Sequence, residues 1–209
     1  GKRTPTDFID IVNAAPISES SKSKCCEVFN LIGEAEGSVH GEDPGKVHLH
    51  ELGTVDTIID VVGVVLGLEM LSVDKLYSSP IPTGSGTVRT EHGLLPVPAP
   101  ATAYMLASKN IPCYPPPSYM PPTGEMVTPT GMALLATLAD FSQPVMNINS
   151  IGYGLGTRDP ESYPNVLSLW IGDLSVPKDE TGIILLETNL DDTTGETLGY
   201  VQEKLFELG

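Results

Sequence analysis

A histidine pair in the segment VHLHELGTVD, residues 47–56, offers the sharpest local chemistry in the sequence. Residues two apart in an extended chain lie on the same face, so His48 and His50 are expected to point the same way. Imidazole nitrogens suit nickel, zinc, copper and iron, and carboxylates balance the charge of the ion. The alternative is two partly exposed histidines on an edge strand. The candidate metal ligands are therefore His40, His48, His50, Glu51 and Asp56.

Two acidic groups stand on the helix predicted to follow this segment. Asp56 and Asp60 are four residues apart and share one helix face. Asp60 has aliphatic neighbours on both sides, so we expect its carboxylate to be buried and in need of a partner. It is a candidate second metal carboxylate or general base, and the alternatives are a hydrogen-bonded Asp60 and an N-capping Asp56. His92 is a candidate acid or base, although one histidine in a loop is more often a surface group.

Two glycine clusters, residues 84–87 (GSGT) and 152–159 (GYGLGTRD), indicate a place for an anion. Neither matches the dinucleotide or P-loop pattern. Backbone N–H groups freed by glycine can hold an anion, a guanidinium binds phosphate with two donors, and a helix start at residues 128–131 adds further N–H groups. Ordinary turns and a plain N-cap are the alternatives. The candidate substrate-binding residues are Gly84, Ser85, Gly86, Thr128, Thr130, Gly131, Gly152, Gly154, Gly156 and Arg158.

The elements that must position these groups are predicted from apolar spacing and capping residues. Helices are expected near residues 6–12, 18–39, 54–71, 99–108 and 130–139, and strands near 75–79, 143–150 and 163–171. The helix at 54–71 is apolar on several sides, so we expect it to be buried, with Gly63 and Gly67 admitting another backbone.

Residues 80–129 contain twelve prolines, where average usage of roughly 5% predicts two or three. Such density excludes central strands and long helices and favours ordered loops over a core. The whole pattern predicts an α+β fold with a mixed sheet, packed helices and long proline-rich ordered loops.

The sequence also predicts how the chain divides. Residues 1–178 are expected to form the main domain. Residues 182–209 contain one strand pattern and one amphipathic helix, which cannot bury their apolar faces alone, so they are expected to begin a second, truncated domain. The first methionine is Met70, so we expect that Gly1 is not the natural start.

Composition narrows the class of protein. The chain carries 27 acidic and 11 basic residues, a net charge of −16, which argues against a nucleic-acid or anionic-membrane surface. Three cysteines without a CxxC pattern favour a reducing compartment, the cytoplasm, over a disulfide framework. The longest apolar run, residues 61–68, is too short to span a bilayer. No Ser-His-Asp order or activated cysteine supports a hydrolase mechanism.

Five motifs occur in order along the chain: VHLHELGTVDTIIDVVG, SSPIPTGSGTVRTEHGLLPVPAPAT, GEMVTPTGMALLATLAD, IGYGLGTRD and ETNLDDTTGETLGY. Together they resemble the nickel-insertion proteins of nickel-pincer nucleotide cofactor synthesis, over nearly the whole chain from about Arg3. The resemblance implies a CTP-dependent cyclometallase that inserts nickel into pyridinium-3,5-bisthiocarboxylic acid mononucleotide, making the cofactor of lactate racemase. It implies Ni²⁺ as the substrate metal, and CTP with Mg²⁺ or Mn²⁺ on a C-terminal domain of which this chain holds only the start.

Three functions follow as hypotheses. The first is the nickel- and substrate-handling part of such an enzyme, with nickel and the mononucleotide as partners and a homo-oligomer left open. The second is a nickel chaperone that catalyses nothing. The third is a metal-dependent phosphohydrolase of similar composition.

Overall fold

The computed structural model describes residues 3–158, 160, 163–175 and 203–204. The chain divides into two compact units, Gly1–Ser175 and Val176–Gly209. The predicted start of a second domain at residues 182–209 lies outside the described residues except for Glu203 and Lys204, so it stays a prediction.

Five helices in the described part of the first unit match the predicted ones to within a few residues. They are α1 (Pro5–Ala14), α2 (Glu19–His40), α3 (Val55–Met70), α4 (Pro100–Ser108) and α5 (Pro129–Leu138). Side-chain caps explain several of the boundaries: Thr4 forms a capping box with Asp7, and Ser18 accepts a hydrogen bond from the Ser21 N–H. Gly41 ends α2 in the left-handed conformation, φ 69°.

The core lies between α1, α2, α4 and α5. Phe8 and Phe29 are fully buried with their ring centroids 4.9 Å apart, and Met105 and Met132 are fully buried with them. At Gly33, an added Cβ would collide with the chain near Pro44, so the close approach of that loop to α2 requires glycine. This packing fixes the end of α2 and the loop that follows it.

The expected burial of α3 on several sides is wrong. Its inward face consists of Thr57, Val61 and Val65, whereas Ile59 is 61% exposed and Met70 is 85% exposed. A Cβ added at either helix glycine, residue 63 or 67, would meet nothing within 4 Å. The helix packs on α2 and α5, and apolar composition does not show how many sides of a helix a fold covers.

The short strands form five separate two-stranded ladders in the described residues. The parallel pairs are β1 (Leu76–Tyr77) with β8 (Ala139–Asp140), and β2 (Ile81–Pro82) with β6 (Cys113–Tyr114). The antiparallel pairs are β3 (Gly84–Ser85) with β7 (Gly124–Glu125), β4 (Thr87–Thr90) with β5 (Gly93–Pro96), and β9 (Met146–Leu155) with β10 (Val166–Leu174). The predicted α+β class is confirmed. Frequent proline removes ladder donors and keeps β2–β7 short, so no single sheet joins them.

The first half of the second glycine cluster, residues 152–155, forms the end of strand β9 rather than a turn. Gly152 and Gly154 lie in β9 opposite Leu169 and Leu167 of β10. All three cysteines are free thiols, as expected. No helix among the described residues is both long and apolar enough to cross a membrane.

Candidate metal site

Three histidines from three different parts of the chain converge at one point. One ligand nitrogen from each of His40, His50 and His92 lies within 4.8 Å of the other two. The ring centroids are 4.9 Å apart for His40 and His50, 5.1 Å for His40 and His92, and 4.6 Å for His50 and His92. Among the described residues, this is the group of histidine, cysteine and acidic side chains placed to hold a metal ion.

His40 and His50 are positioned by the end of α2 and the loop after it. His40 is the last residue of α2, and Gly41 turns the chain away directly after it. Val47 and Leu49 are fully buried and anchor the loop to the core. At Gly53, an added Cβ would overlap the Leu49 carbonyl oxygen, so only glycine allows the tight turn that presents His50.

His92 is positioned by a β-hairpin. Glu91 and His92 form the two-residue loop between β4 and β5, and Gly93 follows with φ 99°. The His92 N–H donates to Thr90 Oγ1 at 3.1 Å. The Glu91 N–H donates to Glu51 Oε1 at 2.7 Å, which ties the hairpin tip to the loop carrying His50.

The half-buried carboxylate of Glu36 contacts His40, one of the three histidines. Glu36 Oε2 lies 3.4 Å from His40 Nε2, and carboxylates that take the other ring N–H of a metal-bound histidine fix its orientation. Burial raises the pKa of the Glu36 carboxyl, nearby His40 and His92 lower it, and the Glu51 charge raises it further. Glu36 is not among the residues predicted from the sequence, although its place four residues before His40 on one helix was a usable signal.

The three histidine nitrogens lie slightly farther apart than the ligands of one bound metal ion. Two imidazole nitrogens bound to one ion at about 2.1 Å lie roughly 3.0–3.4 Å apart, less than the separation of up to 4.8 Å seen here. His92 stands exposed at a hairpin tip, so of the three rings it is the least enclosed by the fold. Three nitrogens leave coordination positions open for water or an incoming ligand.

The remaining predicted ligands lie elsewhere. His48 is exposed between buried Val47 and Leu49 and is not part of the cluster. The pKa of Asp7 is lowered mainly by hydrogen bonds from Thr4, and His48 contributes to the shift, which places His48 toward α1. Glu51 holds the hairpin tip, as described above. Asp56 lies exposed in the first turn of α3 and is likewise not part of the cluster.

The two predicted acid–base residues have different surroundings. Asp60 is exposed on α3, so its expected burial is wrong. Residues adjacent in sequence lie on different sides of a helix, so the aliphatic neighbours of Asp60 do not cover its carboxylate. His92 lies in the three-histidine cluster, where its ring nitrogen is placed to hold a metal ion.

Several of the predicted anion-binding groups form hydrogen bonds within the protein. The Ser85 N–H donates to Thr123 Oγ1 at 3.0 Å, and the Thr123 N–H donates to Ser85 Oγ at 3.2 Å. Gly84 and Gly86 have positive φ, 81° and 87°, and an added Cβ at Gly84 would overlap the Gly124 carbonyl oxygen. These two glycines therefore have a clear structural role in bringing β3 against β7.

The start of α5 is capped by its own threonine. Thr128 Oγ1 accepts the Gly131 N–H at 3.2 Å, and Thr130 is buried. In the other cluster, the Gly156 N–H donates to the Asn165 carbonyl oxygen at 3.1 Å, and extended strand geometry at Gly152 and Gly154 does not make successive N–H groups converge. Asp159 lies outside the described residues.

Arg158 leaves this cluster and reaches another motif. Its Nη2 donates to the Glu125 carbonyl oxygen, and its own carbonyl oxygen accepts from Asn165 Nδ2 at 3.0 Å. Arg158 is exposed, so its guanidinium is available to an anion at β7.

Comparison with known proteins now decides the family. The profile of the family described as "Nickel insertion protein" matches residues 1–209. This chain belongs to the nickel insertion protein family. The match confirms the resemblance seen in the five motifs.

Individual relatives agree with the family assignment. Two are named pyridinium-3,5-bisthiocarboxylic acid mononucleotide nickel insertion protein. The one from Thermotoga sp. (strain RQ2) is 43% identical, over 92% of this chain and 46% of its own length. The one from Thermotoga petrophila is 44% identical, over 92% of this chain and 47% of its own length. A relative from Dictyoglomus thermophilum is 45% identical over 97% of this chain and 51% of its own length. The chain thus spans about half the length of these relatives. No solved structure matches it.

Proposed function

We propose that this chain holds Ni²⁺ at His40, His50 and His92 and presents it for insertion into pyridinium-3,5-bisthiocarboxylic acid mononucleotide. The observation that carries the proposal is the convergence of three imidazole nitrogens within 4.8 Å in a member of the nickel insertion protein family. Nickel is the substrate metal here, so a site must bind it and then release it.

The ligand chemistry suits a metal in transit. Three neutral imidazoles bind Ni²⁺ without the closed cage that thiolates form around structural metals, and the open positions admit the sulfur atoms of the acceptor. Carboxylates at Glu36 and Glu51 and the net charge of −16 attract the cation toward the site. Family members named for this reaction support the acceptor's identity.

We further propose that turnover requires CTP with Mg²⁺ or Mn²⁺, that the product serves lactate racemase, and that the protein works in the cytoplasm. These parts of the proposal come from the motif resemblance. A nickel chaperone that only delivers the ion is the second candidate, because the three-histidine site alone suits both roles. Family membership gives no support to the phosphohydrolase hypothesis.

The test is product formation by the full-length protein incubated with Ni²⁺, CTP and the mononucleotide, followed by mass spectrometry for the nickel-containing product. The comparison is a His40→Ala, His50→Ala, His92→Ala variant against His48→Ala as the matched histidine control. We expect product with the wild type and the control, and none with the triple variant. Nickel binding without any product in the wild type would instead indicate the chaperone.

A further inference from the structure

A second polar site lies beside the histidine cluster, on strand β7. Strand β7 lies against β4, whose hairpin carries His92 at its tip. Glu51, the neighbour of His50, lies close enough to β7 for its charge to act on the carboxyl of Glu125. The polar groups of β7 and the three histidines therefore share one region of the molecule.

The backbone of this second site is held by side chains from three directions. Ser85 and Thr123 exchange two hydrogen bonds of 3.0 and 3.2 Å, and the Tyr163 hydroxyl donates to the Thr123 carbonyl oxygen at 3.1 Å. The Arg158 guanidinium donates to the Glu125 carbonyl oxygen. Gly124 has φ 69°, and an added Cβ there would lie 3.0 Å from Arg158 Nη1, so the guanidinium packs closely over this glycine.

Two groups of this site have bonding capacity that the described residues do not use. Glu125 Oε1 is buried and accepts no hydrogen bond within the described part of the chain, a costly condition for a carboxylate. Burial raises the pKa of the Glu125 carboxyl, the Arg158 charge lowers it, and the Glu51 charge raises it. Arg158 is exposed and uses Nη2 for the backbone contact, while a guanidinium has five N–H donors in all.

We propose that Glu125 and Arg158 together bind the mononucleotide acceptor, with Arg158 on the phosphate and Glu125 beside the cationic ring. This rests on the proposed function and adds to it the residues that recognise the second substrate. A phosphate in a protein of net charge −16 needs a local cation, and the hydrogen bond to the Glu125 carbonyl oxygen positions this guanidinium at β7. A positively charged ring beside Glu125 offsets the cost of burying the carboxylate oxygen Oε1, which accepts no hydrogen bond from the described residues.

The experiment measures binding of two probes to the 209-residue chain by titration calorimetry. Nicotinic acid mononucleotide carries a pyridinium ring, a carboxylate and a phosphate, and ribose 5-phosphate lacks the ring. We expect Arg158→Ala and Arg158→Lys to weaken both probes, by about tenfold or more, since lysine lacks the planar fork. Glu125→Gln, which keeps shape, should weaken nicotinic acid mononucleotide and leave ribose 5-phosphate unchanged.

An exposed cationic residue and an exposed glutamate serve as controls: Lys109→Ala and Glu34→Gln should leave both affinities unchanged. Thermal melting of each variant identifies loss of folding, and Glu125→Gln keeps the test valid if Arg158→Ala unfolds. The proposal is overturned if Arg158→Lys and Glu125→Gln bind nicotinic acid mononucleotide like the wild type, or if the wild type binds neither probe. Nickel affinity, measured separately in the same variants, should not change. An error in the proposed nickel site would therefore appear in the nickel affinity, and an error in the Glu125 and Arg158 proposal would appear in the affinity for the two probes.

Discussion

Replacement of His92 by alanine tests the metal site most directly, because His92 is the ligand that the hairpin brings to the other two histidines. The His92→Ala variant keeps His40 and His50 in place but removes one of three nitrogens. It also keeps the hairpin, since Gly93 and the backbone contact of Glu91 with Glu51 do not depend on the imidazole.

The expected size of the effect follows from the geometry. Removal of a residue that merely orients a metal ligand costs about 10–100-fold in affinity, so removal of a ligand should cost at least the upper figure, about 100-fold or roughly 2.8 kcal/mol. The nitrogens, which lie up to 4.8 Å apart, must move closer to bind one ion, and the free energy needed for this reduces the affinity. The wild-type site is therefore expected to be exchangeable rather than extremely tight, which keeps this change within a measurable range.

The assay is a nickel titration monitored by calorimetry, with competition against a chelator dye where the affinity is too high for direct titration. His48→Ala is the matched control, because His48 is an exposed histidine two residues from His50 and outside the cluster. Equal losses in His92→Ala and His48→Ala, or a dissociation constant for His92→Ala within about twofold of the wild type, would refute the three-histidine site. Affinity should also fall with decreasing pH, because only neutral imidazole binds the ion.

Three further predictions concern the groups around this site and the core beneath it. Burial raises the pKa of Glu36 above its ordinary 4.5, so the folded protein is stabilised by the protonated carboxyl and loses that stability as the pH rises and the group ionises. Glu36→Gln should therefore raise the melting temperature of the metal-free protein at pH 7 but not at pH 4. The same variant should weaken nickel binding. Glu51→Ala should weaken nickel binding more than Glu51→Gln, because glutamine loses only the charge and keeps an acceptor oxygen for the hairpin tip; equal losses would show that the hairpin contact does not matter. Phe29→Ala should lower the free energy of unfolding by about 3–5 kcal/mol in urea titrations, because the ring is fully buried against Phe8; a change under about 1 kcal/mol would contradict the core described above.

Most helices of the described residues could be predicted from the sequence, because their signals are local. The capping threonine before α1, the serine before α2 and the glycine after it all act within a few residues of the helix end. The five ordered motifs likewise carried the family resemblance without any structure. The α+β class followed from the mix of helix patterns, strand patterns and prolines.

The sequence predicts only part of the three-histidine cluster. His40 and His50 were predicted because they lie close together along the chain. The pairing of His48 with His50 assumed an extended strand, whereas the chain turns at His50 and sends the two side chains to different neighbours. His92 lies 42 residues beyond His50, so its arrival depends on a hairpin tip held by Glu51.

Tertiary structure alone decided which charged groups stand together. Residues 152–155 belong to strand β9, and Arg158 lies beyond its end, where the guanidinium contacts the Glu125 carbonyl oxygen and lies next to Gly124. Glu125 gained its place beside Arg158 and near Glu51 through the pairing of β3 with β7. Local sequence fixes caps and turns because their contacts span a few residues. The site needs contacts across tens of residues, which only the packed loops and strand pairs determine.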